Sequence, residues 1–173
     1  IFTAAPVLKF DAYIEDLSLA EITEGTPFGK IEGILKGYVK NCEIADGQPQ
    51  RFNLLLETHE KKGVAQKVSL KAVDNIARIG GNQSPFMGLA GHLASFFDEF
   101  SYKRIGLRSS LNNDVFRING TIEEKGIEYI MKRGGFSGVS IVNQNPDNQV
   151  SFKDMMKRIK RIQSGNGKKT GNY

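Results

Sequence analysis

Most of the side chains here whose type and spacing can do chemistry are cations. Lys153, Lys157, Arg158, Lys160 and Arg161 fall within nine residues, and ammonium and guanidinium groups this dense recognise anions, whether acidic lipid headgroups or phosphodiesters. From Ser151 to the end stand seven Lys or Arg and one acid, leaving 17 of the 24 bases and 18 of the 19 acids for the rest. The formal charge of +5 therefore resides in this tail. The body offers no long-range steering to a charged ligand.

Groups suited to acid–base or nucleophilic work are sparse. His59 sits in the polar run Glu57–Lys61 and His92 on the small-residue side of an apolar helix, each without a partner at metal-ligand spacing. Glu123-Glu124 falls in a turn signal, where paired acids serve solubility. Gly134-Gly135 lacks the strand, helix and lysine of a phosphate loop. Ser137 lacks the spacing of a nucleophile elbow. Cys42 is the single cysteine, which excludes an internal disulfide and a cysteine cluster within the chain and leaves the compartment open. It reads as a small apolar strand residue. No residue is nominated as catalytic, and no metal or cofactor is expected.

The elements that must position the cations come next. Ser151 and Asp154 stand at the spacing of a capping box, with Asp in place of Glu or Gln, so a helix is expected over 151–162. At about 100° per residue, Phe152, Met155, Met156, Ile159 and Ile162 form one stripe and the five cations the opposite one. Helices that lie on membranes share this composition, as do helices that dock on a sheet and leave their lysines in water. The stripe is read as a membrane or partner contact, or as a sheet contact, and the cations as an anionic-headgroup site.

Strands precede that helix. Ile105, Leu107 and Leu111 share one parity, Phe116, Ile118 and Ile122 the next, then Ile127, Tyr129 and Met131, with breaks at 112–114, 123–126 and Gly134-Gly135. Period-two alternation marks half-buried strands, and four of them in an antiparallel meander are expected over 100–142. Earlier, Leu8, Phe10, Ala12 and Ile14 alternate with Lys9, Asp11 and Tyr13. Ile31, Leu35 and Val39 share a face interrupted by Gly33 and Gly37, which mark bulges or close backbone approach. Asp46-Gly47 turns into Phe52, Leu54 and Leu56. Two central helices are predicted, one over Leu70–Ile79 capped by Ser69, the other from Ser84 to about Phe100. The second carries Phe86, Leu89, Ala90, Leu93, Phe96, Phe97 and Phe100 on one stripe. The fold class is α+β: a mainly antiparallel, curved, groove-like sheet with two central amphipathic helices and one basic C-terminal helix. Residues 1–163 form one module and 164–173 a flexible tail.

The segments Lys67–Ile76, Asn113–Gly120, Tyr129–Gly135 and Val150–Ile159 resemble the C-terminal region of bacterial AsmA-like envelope proteins of the TamB and YdbH type, over most of residues 7 to 162. The resemblance implies a periplasmic sheet with an apolar lining that handles phospholipid for the outer membrane, in a parent chain anchored in the inner membrane of a Gram-negative bacterium. On that expectation, acyl chains would lie on Ile105, Leu107, Phe116, Ile118, Ile127 and Tyr129. The partners would be phospholipid or a membrane surface and other envelope proteins, with no nucleic acid. A scaffold for outer-membrane protein assembly is the alternative. No apolar run approaches the roughly twenty residues of a membrane span. Residue 1 is Ile, so the chain is expected to be part of something longer.

Overall fold

The computed structural model describes residues 6–79, 98–136, 138–147 and 149–164. The described elements are β1 (Val7–Ser18), α1 (Leu19–Thr23), β2 (Ile31–Glu32), β3 (Ile34–Ala45), β4 (Gln48–His59), β5 (Lys67–Ser69) and α2 (Leu70–Ile79). They continue with β6 (Glu99–Asn112), β7 (Val115–Gly120), β8 (Ile122–Glu124), β9 (Ile127–Arg133), β10 (Ile141–Val142), β11 (Gln149–Ser151) and α3 (Phe152–Ser164). All strand pairs are antiparallel, and together they make one open, curved sheet in an α+β fold.

Local pairing builds the frame. β3 and β4 form a hairpin over Asp46-Gly47, whose φ angles of 51° and 71° suit the tight turn that matches strand twist. β1 then adds to the far side of β3. Both glycines read as close-approach positions are that: a Cβ at Gly37 would stand 1.9 Å from the Leu55 carbonyl oxygen, and one at Gly33 would strike the Tyr102 hydroxyl.

β6 is the axis of the molecule. Its C-terminal half lies between β4 and β7, its N-terminal half between β5 and β9. Where the halves meet, Tyr102 opposes Arg133 and Arg104 opposes Lys132, so one extra residue enters β6. Such a bulge turns the alternation over. Phe100 and Tyr102 thereby join the same core as Ile105 and Leu107. Thr58 bridges the break, its hydroxyl accepting from the Ile105 N–H at 2.9 Å just beyond the last β4–β6 pair.

Three expectations are corrected. The meander over 100–142 is replaced by a branch: the β6–β7 hairpin forms, but the chain leaves β6 at Gly120, runs as β8 and returns as β9, which pairs with β6, β8 and β10. A Cβ at Gly120 would lie 2.1 Å from the Tyr129 carbonyl oxygen, so this crossing needs glycine. Glu123 and Glu124 stand on β8, and the turn is Lys125-Gly126. The helix expected from Ser84 does not reach Phe100, which is buried on β6 opposite Val68. Phe86, Leu89, Ala90, Leu93, Phe96 and Phe97 lie outside the described residues, as do His92 and the tail from Gly165.

Both α2 and α3 pack on one face of the sheet. α2, capped by Ser69 Oγ accepting from the Ala72 N–H at 3.2 Å, buries Ala72 and Val73 with Leu35, Val68, Phe100 and Met131. α3 covers a second cluster around Leu111 and Phe116. Among the described residues, no helix is long and apolar enough to cross a membrane.

Candidate functional site

The strand register assembles the apolar face row by row. Directly opposed residues share a face, so Ala12, Val39, Leu54, Ser109 and Ile118 form one row, and Ile14, Gly37, Leu56, Leu107 and Gly120 the next. On the other side Phe10 opposes Cys42, and Phe52, Leu111, Phe116 and Val150 continue across the sheet. Each row runs from beneath the helices out to the edge strand β1.

α3 is fastened over one end of these rows. Ser151 Oγ accepts from the Asp154 N–H at 3.3 Å and donates to Asp114 Oδ2 at 2.8 Å. Asp114 Oδ1 accepts from the Lys153 N–H at 3.0 Å, and its carbonyl from the Phe152 N–H at 2.9 Å. The helix therefore begins where the spacing predicts, but the carboxylate that caps its first turn is that of Asp114 in the β6–β7 turn, whose backbone partner is the Lys153 N–H. Asp154 instead pairs with Lys157 at 3.0 Å. Hydrogen bonds from the Lys153 backbone and the Ser151 hydroxyl hold the Asp114 carboxyl below its ordinary range.

The stripe meets the chain's own sheet. Met155 is 7% exposed, and Phe152, Met156 and Ile159 are half-buried against Phe52, Leu111, Phe116, Ile118 and Val150. Three rings interlock, with centroids 6.2 Å apart for Phe52–Phe116, 6.2 Å for Phe52–Phe152 and 5.8 Å for Phe116–Phe152. Burying each such side chain contributes about 1.5–3 kcal/mol, which makes the sheet the contact that these four residues serve. Ile162, one turn beyond, lines a cleft between α3 and α2 instead.

The six residues expected to line a groove are not one open surface. Phe116 and Ile118 lie under α3. Ile105 and Leu107 pack on the main core. Tyr129 is half-buried, with the Lys132 ammonium 4.0 Å from its ring centre, and Ile127 is exposed beside the β8–β9 turn. The open apolar surface lies elsewhere, at the β1 end of the rows. Leu8 is 58% and Phe10 39% exposed, while Ile14, Val39, Ile44 and Leu54 are half-buried. The alternation of Leu8, Phe10, Ala12 and Ile14 is visible in sequence, but it does not reveal which parity a helix will cover.

The five cations divide. Arg158 and Arg161 line the α2–α3 cleft together with Lys71 and Arg78 of α2. Lys157 is paired with Asp154, and Lys153 and Lys160 are exposed outside the cleft. Lys71 and Arg78 carry a signal that sequence reading passed over: they stand seven apart on α2, away from Val73 and Ala77.

Elsewhere, His59 Nε2 lies 3.1 Å from Asp16 Oδ1, with the Lys61 ammonium 3.0 Å from Oδ2. Lys61, by hydrogen bond and charge, holds the Asp16 carboxyl below its ordinary range, and His59 adds to this. The neighbouring Thr58 hydroxyl is engaged by the Ile105 backbone. Cys42 is buried on β3, and burial pushes its thiol up. Comparison with known proteins finds no matching family model, no similar curated protein and no similar solved structure.

Proposed function

We propose that the chain is the terminal module of a periplasmic lipid-handling protein, holding phospholipid acyl chains on the uncovered part of its apolar sheet face. The observation that carries this reading is the continuity of the rows: the same apolar face that α2 and α3 cover continues to β1, where Leu8 and Phe10 remain exposed. An acyl chain laid along Phe10, Ile14, Val39 and Leu54 loses water at about 0.8 kcal/mol per methylene and asks for no polar partner, while the headgroup stays solvated at the edge. The resemblance to AsmA-like proteins points the same way, and it adds the envelope setting and outer-membrane lipid homeostasis.

Detergent-free purification followed by lipid extraction and mass spectrometry tests this. Near-stoichiometric phospholipid is expected with the native chain, and its loss with Phe10→Asp/Val39→Asp. A lipid-free native chain sinks the reading.

A second reading has its own observation. Among the described residues, β1 is 12 residues long, pairs with β3 and ends the strand order, with no second strand on its outer side. A scaffold for outer-membrane protein assembly would use that edge. Capture of a β-barrel protein without lipid favours it.

A further inference from the structure

We propose that the cleft between α2 and α3 binds a phosphate group carried on a small organic moiety. The cleft has a volume of about 410 Å³, within the range that holds small ligands. Four cations converge on it: Lys71 and Arg78 from α2, Arg158 and Arg161 from α3. They stand at i, i+7 on one helix and i, i+3 on the other, spacings that keep each pair on a single helix face. Asp74 is the one acid among the described lining residues.

The charges gather here because the apolar faces are spent elsewhere. α2 turns Ala72, Val73 and Ala77 inward, and α3 turns Met155 and Ile159 inward. Their adjoining polar faces then meet with cations on both sides. Among the described residues none of the four cations forms an ion pair, in contrast to Lys30, Lys61, Lys67, Arg104 and Lys132. Like charges held around one concavity repel, and an anion placed among them adds an attractive term with each cation that offsets this repulsion, against one repulsive term with Asp74. Arginines suit phosphate in particular, since each guanidinium presents two parallel N–H groups to two oxygens.

The back wall is firm. Asn75 is buried, and its amide donates to the Phe28 carbonyl at 2.6 Å, which anchors the loop carrying Pro27 against α2. Pro27 and Ile162 give the cleft an apolar rim. That mixture fits a phosphate joined to a short carbon skeleton better than a bare ion. A phospholipid headgroup and a soluble phosphate ester share this chemistry. The site does not depend on the acyl-chain reading, because none of its residues lies on the open sheet face.

Titration of the isotope-labelled chain with glycerol phosphate, followed by amide NMR, tests the site. Shifts concentrated at Lys71, Arg78, Arg158 and Arg161 are expected, and shifts spread over all lysines, or none, overturn it. In calorimetry, Arg78→Glu/Arg161→Glu should raise the Kd by about tenfold or more. Lys153→Glu/Lys160→Glu, an equal charge change outside the cleft, should change it by about twofold or less. Equal losses in the two variants mean diffuse charge and overturn the site. Vesicles of phosphatidylglycerol separate the sources: cosedimentation that glycerol phosphate displaces identifies a lipid headgroup, and binding of the soluble ester without vesicle binding identifies a free phosphate compound. Either outcome supports a phosphate site. Lipid bound to the open face in a chain whose cleft ignores glycerol phosphate rejects this site alone.

Discussion

Single atoms decide how closely the backbones of this sheet approach. Gly37 faces the Leu55 carbonyl with no room for a Cβ, so Gly37→Ala should cost about 2 kcal/mol or more in urea unfolding, through displaced strands. Tyr102 is the other residue on which the core turns. Its hydroxyl donates to the Glu32 carbonyl at 2.6 Å, and burial raises its pKa to about 12. The native state thus keeps the phenol protonated where the unfolded chain, near pH 10, has released it. Stability is then full below about pH 10 and falls as pH rises to 12, by about 2–3 kcal/mol from this residue. Tyr102→Phe should lose about 1 kcal/mol at neutral pH, yet show a shallower alkaline decline. Equal slopes for the two proteins between pH 9 and 12 would contradict this.

At the scale of elements, α3 shows how a helix strong in sequence acquires its direction. The stripe drives docking, and Asp114 sets where the helix starts. Met155→Ala should destabilise by about 2–5 kcal/mol, the range for removing a buried methionine side chain. Asp114→Ala should lower thermal stability as well, by freeing the first turn. Because the fold depresses the Asp114 pKa, that contribution is present above the ordinary carboxylate range and is lost as pH falls through the folded value. The difference between native and Asp114→Ala melting temperatures should therefore shrink toward pH 3. A difference that is constant from pH 7 to pH 3 would show that the carboxylate plays no part in the cap.

For the whole molecule, the helices cover only part of a continuous apolar face. Phe152→Asp/Met156→Asp should lift α3 from the sheet, expose Phe52, Leu111 and Phe116, and raise the fluorescence of an apolar dye several-fold along with a lower melting temperature. Phe10→Asp, at a position 39% exposed, should cost about 1–2 kcal/mol without unfolding the chain. If Phe10→Asp unfolds the chain, that end of the face is core and the acyl-chain reading loses its surface.

Sequence alone was enough for the α+β class, both described long helices and their stripes, the Asp46-Gly47 turn, the hairpin break at 112–114, and the close-approach glycines. These follow from period, capping spacing and turn chemistry, all of which act within a few residues. Four things were settled only in three dimensions. The bulge after Tyr102 put Phe100 and Ile105 into one core, because one extra residue reverses parity for everything downstream. The crossing at Gly120 replaced a meander with a branch, since strand order depends on contacts far apart in the chain. The choice of covered rows moved the open apolar surface from Ile105–Tyr129 to Leu8, Phe10 and their neighbours. The meeting of α2 with α3 brought Lys71 and Arg78 to Arg158 and Arg161, residues some eighty positions apart whose proximity no local pattern encodes.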